Sequence, residues 1–262
     1  MTTIDAVLAR LSEAEQQLDD AEAPLSGWQL DPIYMGNQRL SRGDLDRVST
    51  TRPIEVLHAS GHILNVNTKA LSLSGLLKSG INHPGIALDH EGLPTGELKG
   101  PEVMMSVAGY VGFDRSLTDA DAQGLQDFAK ICVCAGVTTV TDLASRLSDE
   151  TVELMQIVTS AEDFSARLVP LKLFIGLSPK DLIARVGELA KLSTDRLRLG
   201  KIKIVADGSI QGFPARMRWS GYYNGAPNGL WYITPEQLSE IYHLALEAGV
   251  QVHTHTNGDQ AI

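Results

Sequence analysis

Two short segments carry most of the side chains that could perform chemistry, residues 201–208 and residues 250–259. Successive side chains of a β-strand point to opposite faces, so each segment would have one apolar face. The other face carries Lys203 and Asp207 in the first segment and His253 and His255 in the second. Polar groups that point into a protein interior are costly unless something binds them, and a metal ion is one such partner. The spacing therefore predicts a polar, metal-binding face on neighbouring strands.

Strand-like and helix-like stretches alternate in the second half of the chain, residues 117–262. Strands are predicted at 137–142, 168–175, 201–208 and 250–256, and helices at 118–135, 178–192 and 234–248. Such alternation is typical of a parallel sheet with right-handed crossovers, so the fold class is α/β. Active sites lie at the carboxyl ends of strands both in (β/α)₈ barrels and in open sheets. Periodicity leaves both architectures open, and the inward-facing Lys203 and His253 favour a barrel.

The first half of the chain is less regular. Residues 1–25 have apolar positions at helical spacing and predict an N-terminal amphipathic helix. Residues 26–116 are predicted to be an inserted, lid-like segment with one strand at 53–58, because residues 79–115 are rich in Gly and Pro and show little periodicity. No G-x-G-x-x-G or Walker-type loop follows a strand, so nucleotide binding has little support.

The composition of the chain narrows the classes of molecule that it could bind. The 262-residue chain has a formal net charge of −10, which argues against nucleic acid or an anionic membrane surface. No apolar stretch approaches the roughly 18 residues needed to cross a bilayer. The sequence shows no secretory signal, and we interpret it as cytoplasmic, with Cys132 and Cys134 as reduced thiols at a helix end.

Several motifs, in order along the chain, resemble one known family. Ile202-Lys-Ile-Val-Ala-Asp-Gly208 and His255-Thr-Asn-Gly-Asp-Gln-Ala261 look like the fourth- and fifth-strand motifs of the metal-dependent amidohydrolases, in the amidohydrolase-3 (YtcJ-like) branch. The other matches are Leu45-Asp-Arg-Val48 with Arg52-Pro53, Ser60-Gly-His62, Asn67-Thr-Lys-Ala-Leu71, Gly92-Leu-Pro-Thr-Gly96 and Ala135-Gly-Val-Thr-Thr-Val-Thr-Asp142. The resemblance extends from about residue 26 to residue 262.

The resemblance implies a (β/α)₈ TIM barrel with one or two divalent metal ions, usually Zn²⁺, at its mouth. It implies that Lys203, carboxylated on its amine, and His255 are metal ligands. Carried over by position, Asp207 and Asp259 are candidate catalytic residues. Candidate substrate-binding residues are His62, Asn67, Tyr222 and Tyr223.

Each candidate has a structural alternative. Lys203 could extend along a strand so that its amine reaches water. Asp207 and Asp259 could cap the helices that follow their strands. His62 and Asn67 could hold the inserted segment together, and Tyr222 and Tyr223 could pack a loop.

The chain also departs from the family pattern. The family's first strand carries an H-x-H pair, and its later strands supply a further His and an Asp; we find no counterpart of these here. The sequence therefore resembles a central portion of a larger, incomplete barrel. We expect a metal-dependent hydrolase that acts on amide or other non-peptide C–N bonds of a small molecule. The alternative is an inactive remnant or interaction domain. A homodimer would be compatible with both, since exposed sheet edges are usually covered.

Overall fold

The computed structural model describes residues 2–36, 38–112, 121–218 and 221–262. It divides into two compact units. The first unit contains residues 1–116, 207–232 and 256–262, and the second contains residues 117–206 and 233–255. Both units combine helices with strands, so the predicted α/β class is confirmed.

The first unit is built on a five-stranded mixed sheet. Its strands lie in the order β1-β2-β3-β5-β4 and are β1 (Leu25–Leu30), β2 (Ile54–His58), β3 (Ile63–Val66), β4 (Ile86–Leu88) and β5 (Pro94–Lys99). The helices of this unit are α1 (Ile4–Glu15), α2 (Arg42–Asp46), α3 (Thr68–Leu73) and α4 (Pro101–Val111), with a 3₁₀ turn at Pro32–Met35. Only β1 and β2 pair in parallel; the other pairs are antiparallel.

Apolar side chains cover both faces of this sheet. Ile54 and Val56 of β2 pack in a cluster with Leu8 of α1, whereas Leu64 of β3 packs in a second cluster with Val107 of α4. Because successive side chains alternate, both faces of the short strands can be buried at once. The N-terminal helix is confirmed, and Thr3 caps it by accepting a hydrogen bond from the Ala6 amide at 3.2 Å.

The expectation of one strand in residues 26–116 was wrong. The strand at 53–58 is present as β2, but β3, β4, β5 and α4 also lie within this segment. These strands are only three to six residues long and are broken by turns, so they show too few residues for a clear period-2 pattern. The three predicted segments, with limits at residues 25 and 116, stay a prediction.

The second unit contains the regular repeats. Its elements are α5 (Ala122–Cys134), β6 (Thr139–Ser145), α6 (Asp149–Ser160), β7 (Arg167–Leu173), α7 (Pro179–Lys191), β8 (Ile202–Val205), α8 (Pro235–Ala248) and β9 (Val252–His255). Strands β6-β7-β8-β9 are parallel neighbours in chain order. The four predicted strands and three predicted helices are confirmed, although the predicted start of α5 at Thr118 lies outside the described residues.

Local signals explain where these helices begin. Thr234 and Gln237 form a capping box at the start of α8, and Pro235 occupies its first position. Gly249 ends the helix in a left-handed conformation. Ser178 caps α7 by accepting a hydrogen bond from the Asp181 amide at 3.2 Å. The two cysteines lie in the last turn of α5; Cys132 is buried, Cys134 is exposed, and neither forms a disulfide.

The strand order bears on the choice between barrel and open sheet. In the described residues, the four parallel strands follow chain order without the reversal that creates a switch point in doubly wound sheets. Sequential order is the arrangement found in (β/α)₈ barrels. The strands of the described residues do not close into a barrel, and the incomplete TIM barrel remains a proposal.

Candidate functional site

Lys203 and His255 lie on one face of adjacent strands. In the parallel register of β8 and β9, Lys203 is opposite His253 and Val205 is opposite His255. All four side chains therefore point to the same face of the sheet. His255 lies two residues after His253, the residue paired with Lys203, along β9. Strand spacing and rise place the two Cα atoms about 8 Å apart, within reach of a lysine and a histidine side chain.

The Lys203 side chain is withdrawn from solvent. This burial lowers the pKa of its amine below the usual value. Ile202, Ile204 and Ala206 point to the opposite face and are completely buried, as predicted from the alternation. No acidic partner of the amine is found among the described residues. Such a lysine has no ion pair that would stabilise its charged form.

The two histidines of β9 differ in exposure. His253 is exposed, whereas His255 is half-buried and its backbone carbonyl accepts a hydrogen bond from the Ala206 amide at 2.9 Å. Burial therefore favours His255 over His253 as a residue that shares an interior site with Lys203.

The donor set fits a metal only in part. Within residues 2–36, 38–112, 121–218 and 221–262, no three His, Cys, Asp or Glu side chains converge on a point that could hold a metal ion. An imidazole and a carboxylated lysine are suitable zinc donors, but zinc sites in proteins take three or four protein ligands. Lys203 and His255 therefore supply part of a site.

Asp207 organises the backbone around it. Its carboxylate accepts hydrogen bonds from the amides of Arg216 at 2.8 Å, Asn257 at 2.9 Å and Gly258 at 2.7 Å. The side chain is fully buried, so its oxygens face backbone rather than solvent. This role is structural, but the three amides belong to loop residues, so Asp207 does not cap a helix as the structural alternative supposed.

Asp259 has a similar but more exposed position. It accepts a hydrogen bond from the Arg218 amide at 2.7 Å. Asp207 and Asp259 thus both bind the loop that contains residues 215–218, and the structure brings the two predicted catalytic carboxylates to this one loop.

Tyr222 and Tyr223 lie in the loop between β8 and α8 and differ in their exposure to solvent. Tyr222 is buried, donates a hydrogen bond to the Ala215 carbonyl at 2.8 Å and packs edge-on against Phe213. Burial, together with the charge of Asp207, raises the pKa of Tyr222 to about 12. Tyr223 is 99% exposed. Tyr222 therefore packs the loop, and only Tyr223 presents its ring to solvent.

The predicted contact of Asn67 with substrate was wrong. Asn67 has no exposed surface, and its oxygen accepts hydrogen bonds from the amides of Ile54 and Ala70, each at 3.0 Å. Its amide nitrogen donates to the carbonyls of Ser49 and Arg52. Every hydrogen-bonding position of the side chain is occupied, so Asn67 joins β2 to α3 and is closed to a ligand.

His62 is half-buried and lies at the other end of β3 from Asn67. Its ring packs against Tyr232 with a centroid distance of 5.8 Å, and its carbonyl accepts a hydrogen bond from the Gly100 amide at 3.1 Å. The structure therefore separates the two residues that the sequence grouped as substrate contacts.

A buried polar group in the first unit escaped the sequence analysis. His58 bonds Asn65 at 2.6 Å (Nε2 to Oδ1), and burial lowers the pKa of His58 to about 4, so the ring is neutral near pH 7. Glu97 lies between Arg39 at 2.8 Å and Lys99 at 3.0 Å. These residues occupy short strands, where a polar residue gives no sign of facing inward.

A family profile and several known proteins resemble this chain. The profile described as "Amidohydrolase family" matches residues 1–262. The YtcJ protein of Bacillus subtilis (strain 168), whose given name classes it with the amidohydrolases, is 27% identical over 274 residues, covering 100% of this chain and 49% of that protein. Protein LONG AFTER FAR-RED 3 of Arabidopsis thaliana is 25% identical over 243 residues, covering 90% of this chain and 41% of that protein.

Two solved structures share the fold. They are described as uncharacterized metal-dependent hydrolases from Pyrococcus horikoshii OT3 and Pyrococcus furiosus, with TM-scores of 0.55 and 0.50 and sequence identities of 17% and 15%. This chain is covered to 99% and 100%, and those chains to 49% and 50%. The chain thus spans about half the length of the relatives that it matches. Because the family profile covers the whole sequence, the chain belongs to the amidohydrolase family.

Proposed function

We propose that this chain is part of a metal-dependent hydrolase that cleaves amide or other non-peptide C–N bonds of a small molecule. The observation that carries the proposal is the shared face of Lys203 and His255 on β8 and β9, in a chain of the amidohydrolase family. The metal-dependent hydrolases with a similar fold support the same proposal.

In this proposal Lys203 holds a divalent ion, Zn²⁺, through a carboxylated amine. Attack of the neutral amine on CO₂ forms an N–C bond and releases one proton, which leaves an anionic carbamate oxygen as ligand. A buried amine without a carboxylate partner suits this step, because only the unprotonated amine reacts. When bound, the ion would lower the pKa of a water molecule and polarise the scissile carbonyl.

His255 would be the second ligand, binding as neutral imidazole. The ion needs further donors, since two protein ligands are fewer than zinc sites use. In this proposal Asp207 and Asp259 are positioning residues that hold the loop around residues 215–218, and Tyr223 is the tyrosine open to substrate.

Metal content tests the proposal. The purified chain, loaded with Zn²⁺ and freed of excess ion, should retain close to one ion per chain by elemental analysis. Lys203→Ala and His255→Ala should abolish retention, and His243→Gln, which changes an exposed histidine of α8, should not. A carbamate carbon signal after incubation with ¹³C-bicarbonate should be present in the parent and absent in Lys203→Ala.

Turnover tests the bond type. N-acyl amino acids and N-substituted formamides are suitable first substrates, and hydrolysis should require both Lys203 and His255. Equal zinc retention in the parent and in both alanine variants would contradict the proposed ligands.

The alternative function is an inactive remnant or interaction domain. It is supported by the incomplete donor set and by β6, an edge strand of the four-stranded sheet whose residues are mostly exposed. Absence of zinc retention and of hydrolysis, combined with a concentration-dependent dimer in sedimentation experiments, would favour this alternative.

A further inference from the structure

A partly open cleft lies in the first unit, and none of the proposed metal ligands is among its lining residues. Its lining comes from three stretches of chain, residues 83–85, 99–103 and 230–232. All three belong to the same compact unit, so the cleft is a feature of that unit alone.

The first element of the cleft is an aromatic wall formed by Trp231 and Tyr232. The ring of Tyr232 fills the space beside Gly100, where an added Cβ would lie 2.8 Å from the tyrosine Cε1. Gly100 also has a φ of 89°, a conformation that favours glycine. The hydroxyl of Tyr232 donates a hydrogen bond to the His62 carbonyl at 3.5 Å. The wall is thus held in place before any ligand arrives, which lowers the entropic cost of binding.

The second element is a positive charge at Lys99. Its ammonium lies 3.0 Å from one oxygen of Glu97, and the Arg39 guanidinium lies 2.8 Å from the other. Two cations share one carboxylate, so the group of three side chains has a net charge of +1. An ammonium has three N–H donors, the Lys99 side chain is 22% exposed, and Lys99 is one of the residues that line the cleft. It can therefore donate to a ligand while it keeps its bond to Glu97.

His83 adds a neutral donor. Its Nδ1 accepts a hydrogen bond from the Gly85 amide at 3.0 Å, so the neutral ring carries its proton on Nε2. The opposite charge at the cleft is that of Glu102, which is exposed in the first turn of α4.

We propose that this cleft binds a small molecule that has an aromatic ring and a carboxylate. The proposal rests on the aromatic wall and on the ion group formed by Lys99, Glu97 and Arg39. The ring would stack on Trp231 and Tyr232, and the carboxylate would accept hydrogen bonds from Lys99 and His83. The proposal goes beyond the hydrolase function and does not depend on it, because no residue of the cleft is a proposed metal ligand.

Ligand titrations followed by NMR test the proposal on the metal-free 262-residue chain, in the presence of a chelator. Phenylacetate and indole-3-acetate should bind saturably, and phenethylamine, which has the same ring but a positive charge, should bind more weakly. Lys99→Met should weaken phenylacetate binding by about tenfold, because a hydrogen bond to a charged group is lost. Lys78→Met, at an exposed lysine of the same unit, is the matched control and should leave binding unchanged.

Two further variants make the test independent of any effect of Lys99 on folding. Trp231→Ala keeps the ion group intact and should weaken both aromatic acids. Glu102→Gln removes an exposed negative charge and should strengthen their binding slightly. Absence of saturable binding to the parent, equal affinities of Lys99→Met and Lys78→Met, or a preference for phenethylamine would each overturn the proposal. Because metal is absent throughout, these outcomes are separate from success or failure of the hydrolase proposal.

Discussion

Asp207 shows how backbone amides can take up the hydrogen-bonding capacity of a carboxylate that lies in a predicted catalytic motif. Three amides donate to it, and it has no exposed surface. A carboxylate that accepts several backbone hydrogen bonds can fix a loop as firmly as an ion pair would. At the scale of single residues, the first unit repeats this theme, since its buried polar side chains hold backbone segments together.

Glu55 is the buried carboxyl group that should respond to pH. Burial raises its pKa to about 7, although a hydrogen bond from Ser26 at 2.9 Å opposes the shift, and one oxygen has no partner among the described residues. The pKa of this group in the unfolded chain is lower, so the folded state binds the extra proton. Folding stability should therefore fall as pH rises from about 4.5 to about 7 and then level off.

We predict that Glu55→Gln removes this loss. Near pH 8 the variant should be more stable than the parent by about 3 kcal/mol, because the glutamine is neutral and can still accept the bond from Ser26. Near pH 4 the two proteins should have the same stability. Urea unfolding at both pH values measures the difference, with Glu102→Gln as an exposed control. A parallel pH dependence of Glu55→Gln and the parent would show that Glu55 does not titrate in this range.

At the scale of elements, Asn67 decides how β2, α3 and the turn at 49–52 meet. Its four hydrogen bonds satisfy backbone groups of all three segments. Buried backbone groups that lose their partners are costly, which gives this one side chain an influence on several elements.

Asn67→Ala should lower the free energy of unfolding by about 3 kcal/mol or more, because it removes a helix cap and leaves buried amides and carbonyls unpaired. The matched control is Asn224→Ala in the same unit, an exposed asparagine whose oxygen accepts a bond only from the nearby Ala226 amide. Denaturant unfolding should separate the two variants clearly. If both lost the same small amount of stability, Asn67 would not have the structural role that we assign to it.

At the scale of the whole molecule, the compact units do not follow chain order. Residues 207–232 and 256–262 belong to the same unit as the first 116 residues. The carboxylate of Asp207 connects the stretch 207–232 to the stretch 256–262, because it accepts hydrogen bonds from the amides of Arg216, Asn257 and Gly258. The last residues of the chain therefore belong to the unit that contains its beginning.

We predict that removing residues 256–262 and replacing Asp207 by Asn are strongly coupled. The truncation eliminates two of the three donors to Asp207, and Asp207→Asn removes the charged acceptor. Each change should lower stability by about 2 to 4 kcal/mol, and the combination should cost clearly less than their sum. Unfolding of the four proteins by urea measures the coupling. The exposed Asp142→Asn, combined with the same truncation, should be additive; additivity for Asp207→Asn as well would refute the coupling.

In the described part of the chain, every helix is too short or too polar to cross a bilayer. The expectation of a cytoplasmic protein with a small-molecule substrate and a homodimer as one assembly stays a prediction.

The sequence by itself determined the α/β class, the family, the four strands and three of the four described helices of the second half, and the face on which Lys203 and His255 lie; the helix α6 was not predicted. These follow from local signals: helix caps, the 3.6- and 2-residue periods, and motifs that are continuous in the chain. Alternation along two strands suffices to place two side chains on one face once the strands are neighbours.

Only the tertiary structure decided that Asn67 and Tyr222 are closed to ligands, that Asp207 holds three backbone amides, and that residues 26–116 form a five-stranded sheet. The physical reason is that each of these facts depends on partners far away in the sequence. Asp207 meets Gly258, and His62 meets Tyr232, through the fold alone. Short strands carry too few residues for a period to show, and burial of a polar side chain depends on which distant backbone groups satisfy it.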